Sequence, residues 1–269
     1  RTLSAVKGTM KMIIRYGTGY NNIDIEAASR NKIAVFNTAG KNAAAVAEIA
    51  LLHILNAGRK FANSIELVKQ NKYKMLLDTE CSELDGKVIG LYGAGAIARN
   101  LARMLSGFNV KIFAYDIVQN EAIKKYGVVF VEKPEDLFKT CDIISLHIPL
   151  LPSTKGIINK DYLSLMKCGS VLINTSRGPL IVEEDLIEAL NDQRIGFAGL
   201  DVVRNEPVSL ADPLMQTQNV CITPHIAGTT YEAKVRTERF IVETIVNFFE
   251  GKFEKEFPGN YLNPPRSAQ

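Results

Sequence analysis

Tryptophan is absent from the 269 residues, and histidine and cysteine are scarce, at three and four copies. The cysteines, Cys81, Cys141, Cys168 and Cys221, are scattered and form no C-x-x-C pair. That spacing argues against a disulfide scaffold or a zinc ribbon, and no metal-ligand set stands out. Reduced, partly buried thiols in a cytoplasmic protein are expected instead. No apolar run approaches the ~18 residues of a transmembrane helix, and the opening Arg1-Thr2-Leu3-Ser4 has no apolar core of a signal peptide. Charge of one sign is also lacking. Against 32 basic residues stand 29 acidic ones, interspersed, for a net +3. Nothing in that balance points to nucleic acid or an anionic membrane. Internal repeats and low-complexity tracts are missing too. With 46% hydrophobic and 23% charged residues, the chain can bury a sizeable core, as one large domain or two of ordinary size.

What the chain does have is one stretch around which the rest is ordered. After Gly86-Lys87 comes a short apolar run, Val88 to Tyr92. It is followed by Gly93-x-Gly95-x-x-Ala98, a helical pattern through Leu105, a second apolar run from Val110 to Tyr115, and an acid, Asp116. This reads as strand, tight turn, helix, strand. Gly93 lets the chain turn off the strand, Gly95 removes a Cβ so that backbone can approach a pyrophosphate, and Ala98 lets the helix pack closely. The helix N-terminus, at Ala96 and Ile97, offers unpaired N–H groups and a positive dipole end. Asp116 is placed to accept from a ribose 2′-OH and to repel a 2′-phosphate, so NAD is expected over NADP. A lone glycine motif is weak. The flanking strand, the helix and the acid at about 20 residues' distance supply the context that makes it specific.

The remainder alternates strands and helices. Strands are expected at 10–16, Ile33–Asn37, Val128–Val131, Asp142–Leu146, Ser170–Asn174, Phe197–Asp201 and Val220–Ile222. Asn22-Ile23-Asp24 caps a short helix through Arg30, and Asn42 opens a long apolar helix from Ala43 that stops near Gly58. That helix is apolar nearly all round, so it should be buried between domains or subunits. His53 lies on it and reads as a packed histidine. A second, more polar helix is expected over 61–75, others from Pro134, Lys160 and Glu183, and a long closing one from Glu232 to Glu250. The pattern implies a doubly wound α/β fold with a parallel sheet covered on both faces. Ligands then bind beyond the carboxyl ends of the strands. There the sequence places Asp116, His147, Thr175, Arg177, Asp201, Glu206 and His225.

Three of these suit one chemistry. An arginine offers a planar fork that holds a carboxylate through two parallel hydrogen bonds. A histidine takes or gives a proton near neutrality, and a carboxylate beside it favours the imidazolium and fixes the tautomer. With a nicotinamide nearby, Arg177 would hold a 2-hydroxy acid while His225 takes its hydroxyl proton as hydride leaves C2. From spacing alone, Arg177 can equally be a surface charge at a turn, Glu206 a solvated loop acid and His225 a strand cap.

From Gly17 to about His225 the chain resembles the D-isomer-specific 2-hydroxyacid dehydrogenases. The segments that carry the resemblance are GTGYNNIDIEAA, GLYGAGAIA, HIPLLPSTKGIIN, INTSRGPLIVEEDLIEAL, GLDVVRNEP and TPHIAG. The resemblance implies an NAD-dependent enzyme in which Arg177 clamps the substrate, Glu206 tunes His225, and His225 is the acid/base. It further implies cofactor contacts around Gly93, Gly95, Ala96, Ile97 and Asp116, and around His147, Pro149, Thr154, Thr175, Asp201 and His225. Ala98 replaces the family's usual third glycine. The phosphoglycerate dehydrogenase branch is the most similar, which implies 3-phosphoglycerate as substrate, with hydroxypyruvate or glyoxylate next. Arg15, Thr18 and Gly19 would then line the substrate, Arg15 beside its phosphate. The resemblance also implies a Rossmann domain over 42–228 and a smaller flavodoxin-like substrate domain, incomplete at its front, from 1–41 and 229–269. The active site is expected in the cleft between domains, and the long helix near 43–57 suggests a homodimer. An NAD-sensing corepressor that binds peptides has the same fold and is the rival reading.

Overall fold

The computed structural model describes residues 2–6, 8–20, 22–77, 80–252 and 260–263. The chain forms two compact units, Val46–Ala227 and the pair Arg1–Ala45 with Gly228–Gln269.

In chain order the first unit contributes α1 (Thr2–Ala5), β1 (Met12–Arg15), α2 (Ile25–Arg30) and β2 (Ala34–Asn37). β1 and β2 pair in parallel from Met12↔Ala34 to Arg15↔Asn37. Asp24 caps α2 by accepting the Ala27 N–H at 2.8 Å. Ala28, Ile33 and Val35 form a buried cluster in this unit. Near the C-terminal end of the described chain, Asn263 and Asn260 tie back to β2, Asn263 Oδ1 accepting from the Val35 N–H at 2.7 Å.

The second unit carries the nucleotide motif. α3 (Ala43–Arg59) leads into it, followed by α4 (Phe61–Lys69) and α5 (Tyr73–Leu77). Then come β3 (Val88–Tyr92), α6 (Ala96–Leu105), β4 (Lys111–Tyr115), β5 (Val128–Phe130), α7 (Pro134–Thr140) and β6 (Ile143–Leu146). α8 (Lys160–Leu165), β7 (Ser170–Asn174), α9 (Glu183–Asn191), β8 (Ile195–Leu200), α10 (Pro213–Gln216) and β9 (Val220–Ile222) complete it. α11 (Tyr231–Phe249) returns to the first unit and is capped by Thr230.

The sheet has seven strands in the order β5-β4-β3-β6-β7-β8-β9, and every pairing is parallel. This is the doubly wound Rossmann arrangement, with strand order reversing between β3 and β6. Strands covered on both faces read as unbroken apolar runs, which is why β3 and β6 are apolar at nearly every position. Successive residues feed opposite cores. Ile89 and Leu91 face the core of α3 and α6, whereas Tyr92, Ile144 and Leu146 face that of α7, α8 and α9. Gly90 sits under that second layer, because a Cβ there would lie 2.6 Å from Ile144 and 2.9 Å from Cys141 Sγ and Leu137.

Several sequence expectations need correction. In α3, Glu48 and Leu52 are exposed, so the helix is not buried all round. It ends at Arg59, one residue past Gly58, as the sequence suggests; a Cβ on Gly58 would meet the Ser82 carbonyl at 2.7 Å. The helix expected over 61–75 is two helices, parted where Asn71 adopts φ 57°. Of the cysteines, Cys81 and Cys168 are exposed rather than partly buried. No helix among the described residues is long and apolar enough to cross a membrane.

Candidate active site

Because all seven strands are parallel, their carboxyl ends share one edge of the sheet, and the polar residues singled out above collect there. The nucleotide half is built on β3, β4 and α6. Gly93 has φ 105°, and a Cβ on it would lie 2.7 Å from the His147 carbonyl group, so only glycine fits where the β3 and β6 ends meet. Gly95 opens α6 in an extended conformation with no side-chain cap. The N–H groups of Ala96 and Ile97 therefore lack intrahelical partners. Space beside Gly95 is open, with no atom within 4 Å of where a Cβ would stand. An uncapped helix N-terminus behind an open glycine cradle is what a pyrophosphate requires. At the end of β4, Asp116 Oδ2 accepts the Ala94 N–H at 2.6 Å and Oδ1 the Val118 N–H at 3.2 Å. The carboxylate thus pins the glycine turn and keeps lone pairs for a ribose hydroxyl.

At the ends of β6 and β7, polar atoms are sealed without protein partners. Thr175 Oγ1 and both ring nitrogens of His147 are buried and unpaired among the described residues. His147 keeps some exposed surface elsewhere on the residue. Burial pushes its imidazole from 6.5 down to about 4. Such orphaned groups usually await a ligand, and here they fit the polar edges of a dinucleotide. Pro149 is exposed, and Thr154 folds its loop by donating to the Pro149 carbonyl at 2.7 Å while accepting the Leu151 N–H at 2.7 Å.

The residues expected to do the chemistry lie beyond β7, β8 and β9. Arg177 follows β7, half-buried, with Nη1 donating to the Ser176 carbonyl at 2.6 Å. Its own carbonyl accepts from Asn174 Nδ2 at 2.9 Å, and Ser176 Oγ donates to the Leu146 carbonyl at 2.8 Å, so the turn is braced on two strands. Next to it, a Cβ on Gly178 would lie 2.0 Å from the Val203 carbonyl group. That contact joins the Arg177 turn to the loop that carries Glu206. His225 Nδ1 lies 2.6 Å from Glu206 Oε2, and Glu206 Oε1 accepts the Val203 N–H at 3.2 Å. An ionised carboxylate only accepts, so Nδ1 carries a proton, and Nε2 is left as the nitrogen that can take or give one. The His225 side chain is 51% exposed, open to a reactant.

Asp201 is 1% exposed. Its carboxylate accepts Thr223 Oγ1 at 2.6 Å and the N–H groups of Ile226 and Ala227 at 3.0 and 2.9 Å, and thereby braces the turn around His225. Arg15 ends β1 in the other unit, and Thr18 and Gly19 follow it. Arg15 Nε is buried without a partner among the described residues, and the Thr18 carbonyl accepts from Asn37 Nδ2 at 3.1 Å. Sequence reasoning missed the braces. Glu183, nearly buried, accepts the Arg204 N–H at 3.3 Å and pairs with its guanidinium at 3.4 Å, tying the Glu206 loop to α9. The neighbouring acids at the start of α9 were the available signal.

The fold and this strand-end edge define a dinucleotide-binding oxidoreductase domain. Residues 51–227 match the family model described as "D-isomer specific 2-hydroxyacid dehydrogenase, NAD binding domain". The chain belongs to that family, and its cofactor is NAD. It is 36% identical over 251 residues to a hydroxypyruvate reductase of Blautia hydrogenotrophica, covering 91% of this chain and 76% of that protein. It is also 36% identical over 245 residues to a D-3-phosphoglycerate dehydrogenase of Archaeoglobus fulgidus, covering 90% of this chain but 46% of the relative. Among solved structures, a D-lactate dehydrogenase from Aquifex aeolicus, complexed with NAD and lactic acid, superposes with a TM-score of 0.84 at 28% identity. That match covers 96% of this chain and 81% of the other.

Proposed function

We propose that the chain interconverts a small D-2-hydroxy acid and its 2-keto form, with Arg177, Glu206 and His225 as the working residues and Val46–Ala227 as the NAD domain. Bound NAD supplies the hydride acceptor or, reduced, the hydride donor. Arg177 holds the substrate carboxylate through its guanidinium fork. His225 takes the hydroxyl proton on Nε2 during oxidation and returns it to the carbonyl oxygen during reduction. Glu206 holds the Nδ1–H tautomer and stabilises the imidazolium formed midway. The observation that carries this reading is the 2.6 Å His225–Glu206 pair on the same sheet edge as Arg177.

For the substrate, 3-phosphoglycerate is supported by the Arg15–Asp24 segment and by the relative of that name, with Arg15 as the cation for the phosphate. Hydroxypyruvate and glyoxylate are the second reading, supported by relatives named as reductases of those acids. The test follows NADH absorbance against glyoxylate, hydroxypyruvate and phosphohydroxypyruvate, with His225→Ala as control. Turnover lost in His225→Ala with NADH binding kept supports the assignment. Peptide binding without turnover on any acid would favour the NAD-sensing reading. We also infer a homodimer, now resting on α4, where Phe61, Ile65 and Val68 form an exposed apolar row at helical spacing. Sedimentation showing a monomer that Phe61→Glu does not change would remove it.

A further inference from the structure

A third histidine stands behind the proposed acid/base pair. His53, on α3, is 1% exposed. β8 makes room for it at Gly199, where a Cβ would lie 2.7 Å from the His53 Cβ and 2.8 Å from its Cγ. Its Nε2 lies 3.2 Å from Thr223 Oγ1, and that hydroxyl lies 2.6 Å from Asp201 Oδ1. A threonine hydroxyl has one proton, and the short contact to an acceptor-only carboxylate directs it to Asp201. The Thr223 lone pair then faces His53, which must present Nε2–H. Burial lowers the pKa of His53 against the opposing charge of Asp201, which disfavours the imidazolium.

The chain of contacts ends at His225. Asp201 receives the Ile226 and Ala227 N–H groups on its carboxylate, and its carbonyl accepts the His225 N–H at 2.9 Å. His225 itself adopts φ 54°, a left-handed conformation that a residue with a Cβ holds only when its surroundings impose it. We propose that His53 is a positioning residue. Through Thr223 and Asp201 it holds the strained 223–227 turn in which His225 faces Glu206. The inference rests on the reading of His225 as acid/base.

The test uses the full chain, whose three histidines make the ring signals assignable. In unmodified protein without nucleotide, two-bond proton–nitrogen spectra should show His53 neutral and protonated on Nε2; protonation on Nδ1 overturns the proposal. The His225 Nδ1–H signal should be sharp in the unmodified protein and broadened in His53→Leu; a signal unchanged by the substitution overturns it as well. In turnover, His53→Leu should lower kcat roughly tenfold, since a small misplacement of an acid/base costs that much. KM for the keto acid, which Arg177 sets, should hold. His53→Gln, which keeps a donor near the Nε2 position, should recover most of the loss. Thr223→Val should match His53→Leu, and the double variant should be no worse than either; losses that multiply overturn the proposal. If His225→Ala stays active while the spectra come out as expected, the acid/base reading fails and the positioning network stands.

Discussion

The sealed imidazole of His147 makes the stability of the NAD domain depend on pH. Neither ring nitrogen has a partner among the described residues, and burial takes the group from 6.5 to about 4. A folded-state value below the unfolded one means stability is full above about pH 6.5 and is lost as pH falls, because the unfolded histidine takes up a proton that the folded one refuses. At about 1.4 kcal/mol per unit, the gap is worth about 3 kcal/mol once both states are protonated. At about pH 5 the unfolded group is almost wholly charged and the folded one only roughly a tenth so, which puts the loss from neutrality near about 2 kcal/mol. Urea unfolding at about pH 7 and about pH 5 measures this, comparing the unmodified protein with His147→Leu. The subtraction removes the acid-side contributions of other groups. One is Asp142, which burial pushes up but the Lys167 ammonium and the Val88 N–H hold below the usual carboxylate range. The unmodified protein should lose about 2 kcal/mol more than the variant between the two conditions. Equal losses, or an imidazole that titrates near the ordinary histidine value by NMR, would refute the reasoning.

Three further outcomes are expected from the site. Arg177→Lys should lower kcat/KM roughly 100-fold, about 3 kcal/mol, because a point charge cannot reproduce two parallel bonds to a carboxylate; steady-state kinetics decide it. Asp116→Ser should reduce the preference for NAD over NADP by roughly tenfold or more, since the repelling carboxylate is gone. It should also weaken binding of both nucleotides through the lost Ala94 contact. An unchanged cofactor ratio in competitive turnover would count against Asp116. Gly178→Ala should cost about 1–3 kcal/mol in denaturant unfolding, because its Cβ would stand 2.0 Å from the Val203 carbonyl group and push apart the Arg177 and Glu206 segments. A variant of normal stability and normal kcat would show that the contact is not rigid.

What was legible in the sequence follows from one constraint. A parallel sheet brings every strand's carboxyl end to one edge, so Asp116, Arg177, Glu206 and His225 were placed together once the strand and helix alternation was read. Their partners were not legible, because pairing across that edge is tertiary. Thr223 lies 170 positions from His53, and no spacing rule reaches that far. Glu183 and Glu184 read as ordinary acids in the first turn of α9, yet Glu183 is buried against the Arg204 segment. Local signals were harder to read where one residue serves two uses. Gly58 carries the signature of a helix stop and α3 ends one residue past it, yet it is also small because the Ser82 backbone crosses it. Asn71 carries a weaker one and does end a helix, within the stretch 61–75 that was expected to be a single helix. His53 shows the same ambiguity in the site itself. A buried histidine on an apolar helix reads as packing, and its packing against Gly199 is real. Only the position of its second nitrogen, aimed at a hydroxyl that in turn binds the carboxylate under His225, separates a filler from a support.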